Sequence, residues 1–201
     1  MTNEIAKILA ASLQPLYDTQ VITTLAGLSK VATQKKQEAT VRFPVPYDED
    51  SATYQMDRSQ LVPDSRQRAI VYFEGNDSDI TSFEGKKSKG RTSLKLICWY
   101  NSNKFSTIAQ GTVHSVLTSA ILNLIGKAKP THDGVIQGLF IDVTRIYDSA
   151  ANLFSRYTYK EEYGQYLQNP YFALGIDITV TYQINHGCST ELLAVNATDC
   201  C

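Results

Sequence analysis

Along the chain, apolar positions switch between a helical and a strand spacing, and the switches mark out the elements. Ile5, Ile8, Leu9, Ser12, Leu13 and Leu16 recur every three or four residues, which predicts an opening amphipathic helix with Thr2 or Asn3 as its cap. Pro15 should end or bend it. Two strand-like runs follow. Val21 to Ser29 is rich in β-branched residues, and Ala39, Val41, Phe43 and Val45 alternate with Thr40, Arg42, Pro44 and Pro46. Gln34 to Gln37 reads as a solvated hairpin tip between them. Two prolines cannot donate to a ladder, so the end of the second strand belongs at a sheet edge.

Residues 47–66 are polar, begin Tyr47-Asp48-Glu49-Asp50, and read as an extended loop or arm. Arg68 to Glu74 then predicts a short strand with Ala69, Val71 and Phe73 facing one way, and Ile80–Phe83 a second. Gly85 to Arg91 reads as a glycine-bounded basic turn. Thr92–Asn101 follows, with both faces turning apolar toward its end, the mark of a strand covered on both sides. The clearest helix spans 106–125, where Thr107-x-x-Gln110 resembles a capping box and Val113, Val116, Leu117, Ala120, Ile121, Leu124 and Ile125 form one stripe before Gly126. Gln137–Tyr147 predicts a strand with Leu139, Ile141, Val143 and Tyr147 on one face and Phe140 and Ile146 on the other, and 149–169 is mixed and partly helical.

The closing run is the most regular. Phe172, Leu174, Ile176, Ile178, Val180, Tyr182 and Ile184 alternate with Ala173, Gly175, Asp177, Thr179, Thr181, Gln183 and Asn185, giving one dry and one wet face. Such a strand is roughly 43 Å long. A chain of this size folds to a diameter of roughly 42 Å, so the strand crosses the whole domain and its sheet invites extension from outside. The element order predicts one α+β domain over 1–185, a mainly antiparallel sheet carrying two amphipathic helices with the 47–66 loop or hairpin as an arm, and a polar C-terminal tail over 186–201.

Composition narrows function by exclusion. With 19 Lys+Arg against 20 Asp+Glu the 201-residue chain carries a formal charge of −1, which excludes a chain-wide polyanion binder. A 43% hydrophobic content is that of a globular protein. The first residues lack the basic start and apolar block of a signal peptide, and no run of about 18 apolar residues spans a membrane. Cys98, Cys188, Cys200 and Cys201 form no CxxC pair and read as reduced thiols, so Asn76-Asp77-Ser78 and Asn196-Ala197-Thr198 need not be glycosylated.

No nucleotide-binding, nucleophile-elbow or HExxH signature is present. His114 lies at the border of a helical apolar face and reads as structural, and His132 as part of a turn. His186-x-Cys188 with Cys200-Cys201 is too irregular for a zinc site, and Asp142 and Asp148, on one strand face but roughly 20 Å apart, are too distant to share a metal with Glu161 and Glu162 nearby. No catalytic residue, cofactor site or metal site is assigned. Two surface features remain. Lys86, Lys87, Lys89 and Arg91 can neutralise phosphates or meet an acidic partner such as Asp48-Glu49-Asp50 of a neighbouring copy. Tyr157, Tyr159, Tyr163, Tyr166 and Tyr171 place five of twelve tyrosines close together among balanced charges, a composition that suits a protein interface, internal packing or a ligand platform.

With its opening "MTNEIAKILAASLQPLYDT" helix, armed hairpin, second helix and closing "NPYFALGIDITVTYQIN" strand, the chain resembles the small α+β ring proteins at the head–tail junction of tailed bacteriophages, the neck or connector proteins and tail terminators. The likeness rests on element order over about 1–185, and the Asn-, Thr- and Tyr-rich composition suits a crAss-like phage of an AT-rich host. The resemblance implies a structural virion protein rather than an enzyme. It implies a ring of six or twelve copies, assembled in the host cytoplasm on a portal or adjacent neck or tail protein, with DNA in the lumen. On that reading Tyr47, Asp48, Glu49, Asp50, Tyr54 and the five clustered tyrosines make subunit contacts, and Lys86, Lys87, Lys89 and Arg91 face DNA or an acidic ring. The rivals are a nucleic-acid-binding module built on 86–91 and a small hydrolase, which would need converging polar groups in a pocket.

Overall fold

The opening apolar stripe folds as expected. In the computed structural model, which describes residues 1–36, 39–47, 61–62, 64–75, 78–130, 135–147, 153–158 and 168–186, helix α1 spans Thr2–Ser12 and buries Ile5, Ala6, Ile8 and Leu9. The break falls at Leu13. Pro15 lies in the first turn of a short second helix, α2 (Gln14–Asp18), a position where its missing N–H costs nothing. Thr2 does not cap α1. Its hydroxyl lies 2.6 Å from that of Ser78 and 3.3 Å from that of Thr92, tying the helix start to the sheet.

Strands β1 (Thr24–Lys36) and β2 (Ala39–Pro46) form the expected hairpin, paired from Ser29↔Pro46 to Lys36↔Ala39. Only the first part of β1, Thr24 to Leu28, joins the main sheet, in parallel with β3 (Ala69–Gly75) and across a bulge. The rest of the hairpin extends beyond the main sheet as an arm; of the loop expected as an arm at 47–66, residues 48–60 and 63 lie outside the described residues. β5 (Lys87–Asn101) pairs with β3, with the short β4 (Asp79–Glu84) beyond it, and along its whole length with β7 (Tyr171–Asn185). β6 (Ile136–Tyr147) completes the order β2-β1-β3-β5-β7-β6, antiparallel except for β1/β3. This is an α+β fold: a mostly antiparallel seven-stranded sheet with a few helices packed against it.

One sheet face is dry from end to end. Leu94, Leu96, Cys98 and Tyr100 of β5 and Leu174, Ile176, Ile178, Val180 and Tyr182 of β7 pack against α1 and against α3 (Val113–Ile125), which contributes Val113, Leu117, Ile121 and Ile125. Among the described residues the other face is covered near β3, where Leu61, Leu153, Phe154 and Tyr157 close over Ile70, Tyr72, Ile97, Trp99 and Ala173. This second small core is why β3 and the end of β5 are apolar on both sides. Both prolines of β2 do sit on an edge strand.

Four local expectations change. The turn before β5 is only Gly85-Lys86, and Lys87 to Arg91 continue as strand. α3 starts at Val113 rather than near 106, because Phe105 to Thr112 make successive tight turns in which Thr112 Oγ1 donates back to the Ala109 carbonyl. Its buried stripe is correspondingly narrower, and Val116 is exposed. A bulge between Val143 and Arg145 shifts the alternation of β6, so Tyr147 pairs with Gly175 and shares a face with Arg145, not with Leu139. Within 149–169 the described residues 153–158 form turns without helix.

Candidate functional site

Register, not sequence proximity, assembles the most polar feature of the molecule. Glu74 of β3 lies opposite Lys95 of β5, Lys95 opposite Asp177 of β7, and Asp177 opposite Arg145 of β6. Directly opposed residues share a sheet face, so four strands line up a row of alternating charge. Lys95 Nζ stands 3.7 Å from Asp177 Oδ1, and the Tyr147 hydroxyl donates to Asp177 Oδ2 at 2.6 Å. That hydrogen bond raises the Tyr147 pKa above the ordinary phenol range. Lys95 and Arg145 also stand over the Tyr147 ring, 4.8 and 4.6 Å from its centroid.

At the far end of the row Glu74 is 6% exposed. It accepts a hydrogen bond from the Tyr157 hydroxyl and faces Arg156 Nη1 at 3.5 Å. Burial, and then the negative charge of Glu74, push the Tyr157 pKa well up, so the phenol stays protonated as a donor. A cleft of about 600 Å³ opens over the row, lined by Ser93, Lys95, Thr144, Arg156, Asp177 and Thr179 among others.

The chemistry of this cleft is mutual neutralisation. Each carboxylate has a cation or phenol beside it, and the histidines lie elsewhere: His114 Nδ1 is 3.0 Å from the Tyr100 hydroxyl and His186 Nε2 is 2.9 Å from Ser88 Oγ. Among the described residues no group of three or more His, Cys, Asp or Glu side chains comes together to hold a metal ion. No helix among them is long and apolar enough to cross a membrane.

The residues singled out from the sequence divide sharply. Tyr157 is not at a surface: it is 7% exposed and anchored on Glu74, because its neighbours Leu153 and Phe154 pull the segment onto the second core. Tyr171 is half-buried and stacks on Trp99 at 5.5 Å. Tyr47 is exposed, with its N–H donating to the Leu28 carbonyl. Asp48, Glu49, Asp50, Tyr54, Tyr159, Tyr163 and Tyr166 lie outside the described residues, as do His132, Asp148, Glu161, Glu162, Cys188, Cys200 and Cys201.

Lys87, Lys89 and Arg91 do share one exposed face of β5, with Lys86 in the adjoining turn. Glu84 lies opposite Lys87 and Asp79 opposite Arg91, so carboxylates flank the cations on one side. Glu74, Lys95, Asp177, Arg145 and Arg156 were not foreseen. The one available signal was Asp177, the lone charge in a fifteen-residue strand.

Among the described residues the open edge is β6. Phe140 is 70% exposed on one side of it, and Val143 and Ile146 are 37% and 40% exposed on the other. Bulges at Gly138 (φ +83) and after Val143 leave Leu139 to Val143 as its regular run. At the opposite end of the sheet the β2 edge is occupied: the Leu61 and Thr158 amides donate to the carbonyls of Pro44 and Arg42. No protein-family model matches the chain, and no curated protein matches it.

Proposed function

We propose that the chain is a structural virion protein that builds an oligomeric ring at the head–tail junction of a tailed bacteriophage, as a neck, connector or tail-terminator subunit. The ring joins the portal to the tail and surrounds the DNA channel. Its partners are further copies of itself, six or twelve to a ring, and the adjacent portal, neck or tail proteins. It performs no reaction. The observation that carries this reading is the asymmetry of the sheet ends. Among the described residues one end is an edge strand without a partner, with Phe140, Val143 and Ile146 exposed, and the other is a hairpin arm that leaves the sheet after Leu28. An edge strand with exposed apolar side chains is a template for association, and two unlike ends make a heterologous contact, the kind that closes into rings. Lys86, Lys87, Lys89 and Arg91 face the lumen or an acidic neighbouring ring on this reading. The cleft over Glu74, Lys95 and Asp177 favours a small hydrolase less, since its charged groups neutralise one another and His114 and His186 bond elsewhere.

Charging the edge tests the assignment. Phe140→Glu with Ile146→Glu removes two exposed apolar side chains and should leave the fold intact, within about 0.5 kcal/mol for each surface change. Sedimentation of the double variant should show assembly weakened at least a hundredfold relative to wild type. Unchanged assembly would place the subunit contact elsewhere and count against the edge.

A further inference from the structure

Residues 153–158 cross the second sheet face and are held at both ends. Leu153 sits on Gly175 of β7 so closely that a Cβ there would stand 2.3 Å from Leu153 Cδ2. At the other end three consecutive residues reach two strands. Arg156 and Tyr157 both engage Glu74 of β3. The Thr158 amide donates to the Arg42 carbonyl of β2 at 2.9 Å, and Arg42 Nε reaches back to Thr158 Oγ1 at 3.4 Å.

We infer that this segment is a releasable strap that fastens the β1–β2 hairpin to the body of the sheet, with Glu74 as its catch. Without it the hairpin keeps the Leu61 amide on its Pro44 carbonyl and a junction to the sheet ladder through Thr24, Leu25 and Leu28 of β1, a stretch that is itself bulged. A bulged junction bends more readily than a regular ladder. The strap therefore sets the attitude of the arm. Its hold includes three buried side chains, one shared carboxylate and the bonds between Thr158 and Arg42, all of it outside the strand ladder. A segment outside the ladder can open locally without global unfolding. Opening uncovers Tyr72 and Trp99 and frees the Arg42 carbonyl, which on a strand with prolines at 44 and 46 is one of the outward groups a further strand could pair with. The coupling of strap to arm is a property of the single chain and holds whether or not the chain builds a ring.

Amide hydrogen exchange on the full chain tests it, comparing wild type with Tyr157→Phe and Gly175→Ala. The first keeps the ring and removes the hydroxyl bonded to Glu74; the second unseats Leu153 at the opposite end. Loss of a hydrogen bond to a charged group should speed exchange at Thr158 about tenfold or more. Exchange in β2 should rise with it in both variants, while Leu96 to Cys98 and Ile178 to Val180 stay as in wild type. Faster exchange at Thr158 with β2 unchanged would overturn the coupling. So would no change at Thr158 in either variant, or a rise that includes β5 and β7 equally, which is global destabilisation.

Discussion

Gly90→Ala is expected to destabilise the protein by about 3 kcal/mol, the upper range for forcing an extra carbon into a packed site. Gly90 and Tyr182 are directly opposed on β5 and β7. The Tyr182 ring lies flat over the glycine, so a Cβ would stand 2.5 Å from Cε2 and Cζ and 2.6 Å from the hydroxyl oxygen. Tyr182 is 2% exposed and cannot swing into solvent. Glycine is thus required here by a close approach, and its backbone φ needs no special freedom. For a chain of this length the cost corresponds to a fall in Tm of roughly 6–12 °C. Tyr182→Phe makes the control. Its hydroxyl is buried and has no hydrogen-bond partner among the described residues, so removing it should be neutral or slightly stabilising. Urea denaturation of Gly90→Ala, Tyr182→Leu and the double variant should show strong coupling, because shortening residue 182 makes room for the added carbon. A Gly90→Ala midpoint equal to wild type would mean the ring is not held where the structure places it.

Alkaline pH should remove a comparable amount of stability through Cys98. Its thiol is wholly buried between β3 and β7, and burial alone pushes its pKa from the ordinary 9.0 up to about 12. A thiol raised in the folded state favours folding least when ionisation is possible. Its contribution is intact below pH 9 and is lost as pH climbs from 9 to 12, where the unfolded chain releases a proton that the folded chain retains. Three units correspond to about 4 kcal/mol by pH 12, with about half gone at pH 10.5. Tyr157, raised by burial and by Glu74, adds loss in the same direction above about pH 10. Unfolding free energy measured from pH 7.5 to 11 should therefore fall more steeply in wild type than in Cys98→Ala, by the slope of one proton. Parallel curves for the two proteins would show that the thiol ionises freely in the folded state.

What could be read from residue order was whatever depends on one element at a time. Ile5, Ile8 and Leu9 at helical spacing, the alternation from Leu174 to Ile184 and the prolines at 44 and 46 each carry their structural meaning locally; at the start of the last strand Phe172 is exposed instead, and Ala173 and Gly175 lie under the second core. The parallel β1/β3 pair was hidden because Thr24 to Leu28 has no local mark of its partner. Tyr147 was assigned to the wrong face because counting by twos cannot see the bulge after Val143. The charged row was invisible for a related reason. Glu74, Lys95, Asp177 and Arg145 are far apart in sequence and meet only through the registers of four strands. Tyr157 looked like interface material since tyrosine suits surface and core alike. What decides is Glu74, whose position at the end of an apolar strand reads as the solvent-facing stop.

Native mass spectrometry of the full chain, alone and mixed with its cognate portal and neck proteins, tests the structural-ring account most directly. The account predicts one dominant cyclic stoichiometry, six or twelve, that is lost in the Phe140→Glu, Ile146→Glu variant. A chain that stays monomeric at tens of micromolar, with those partners present, would contradict it.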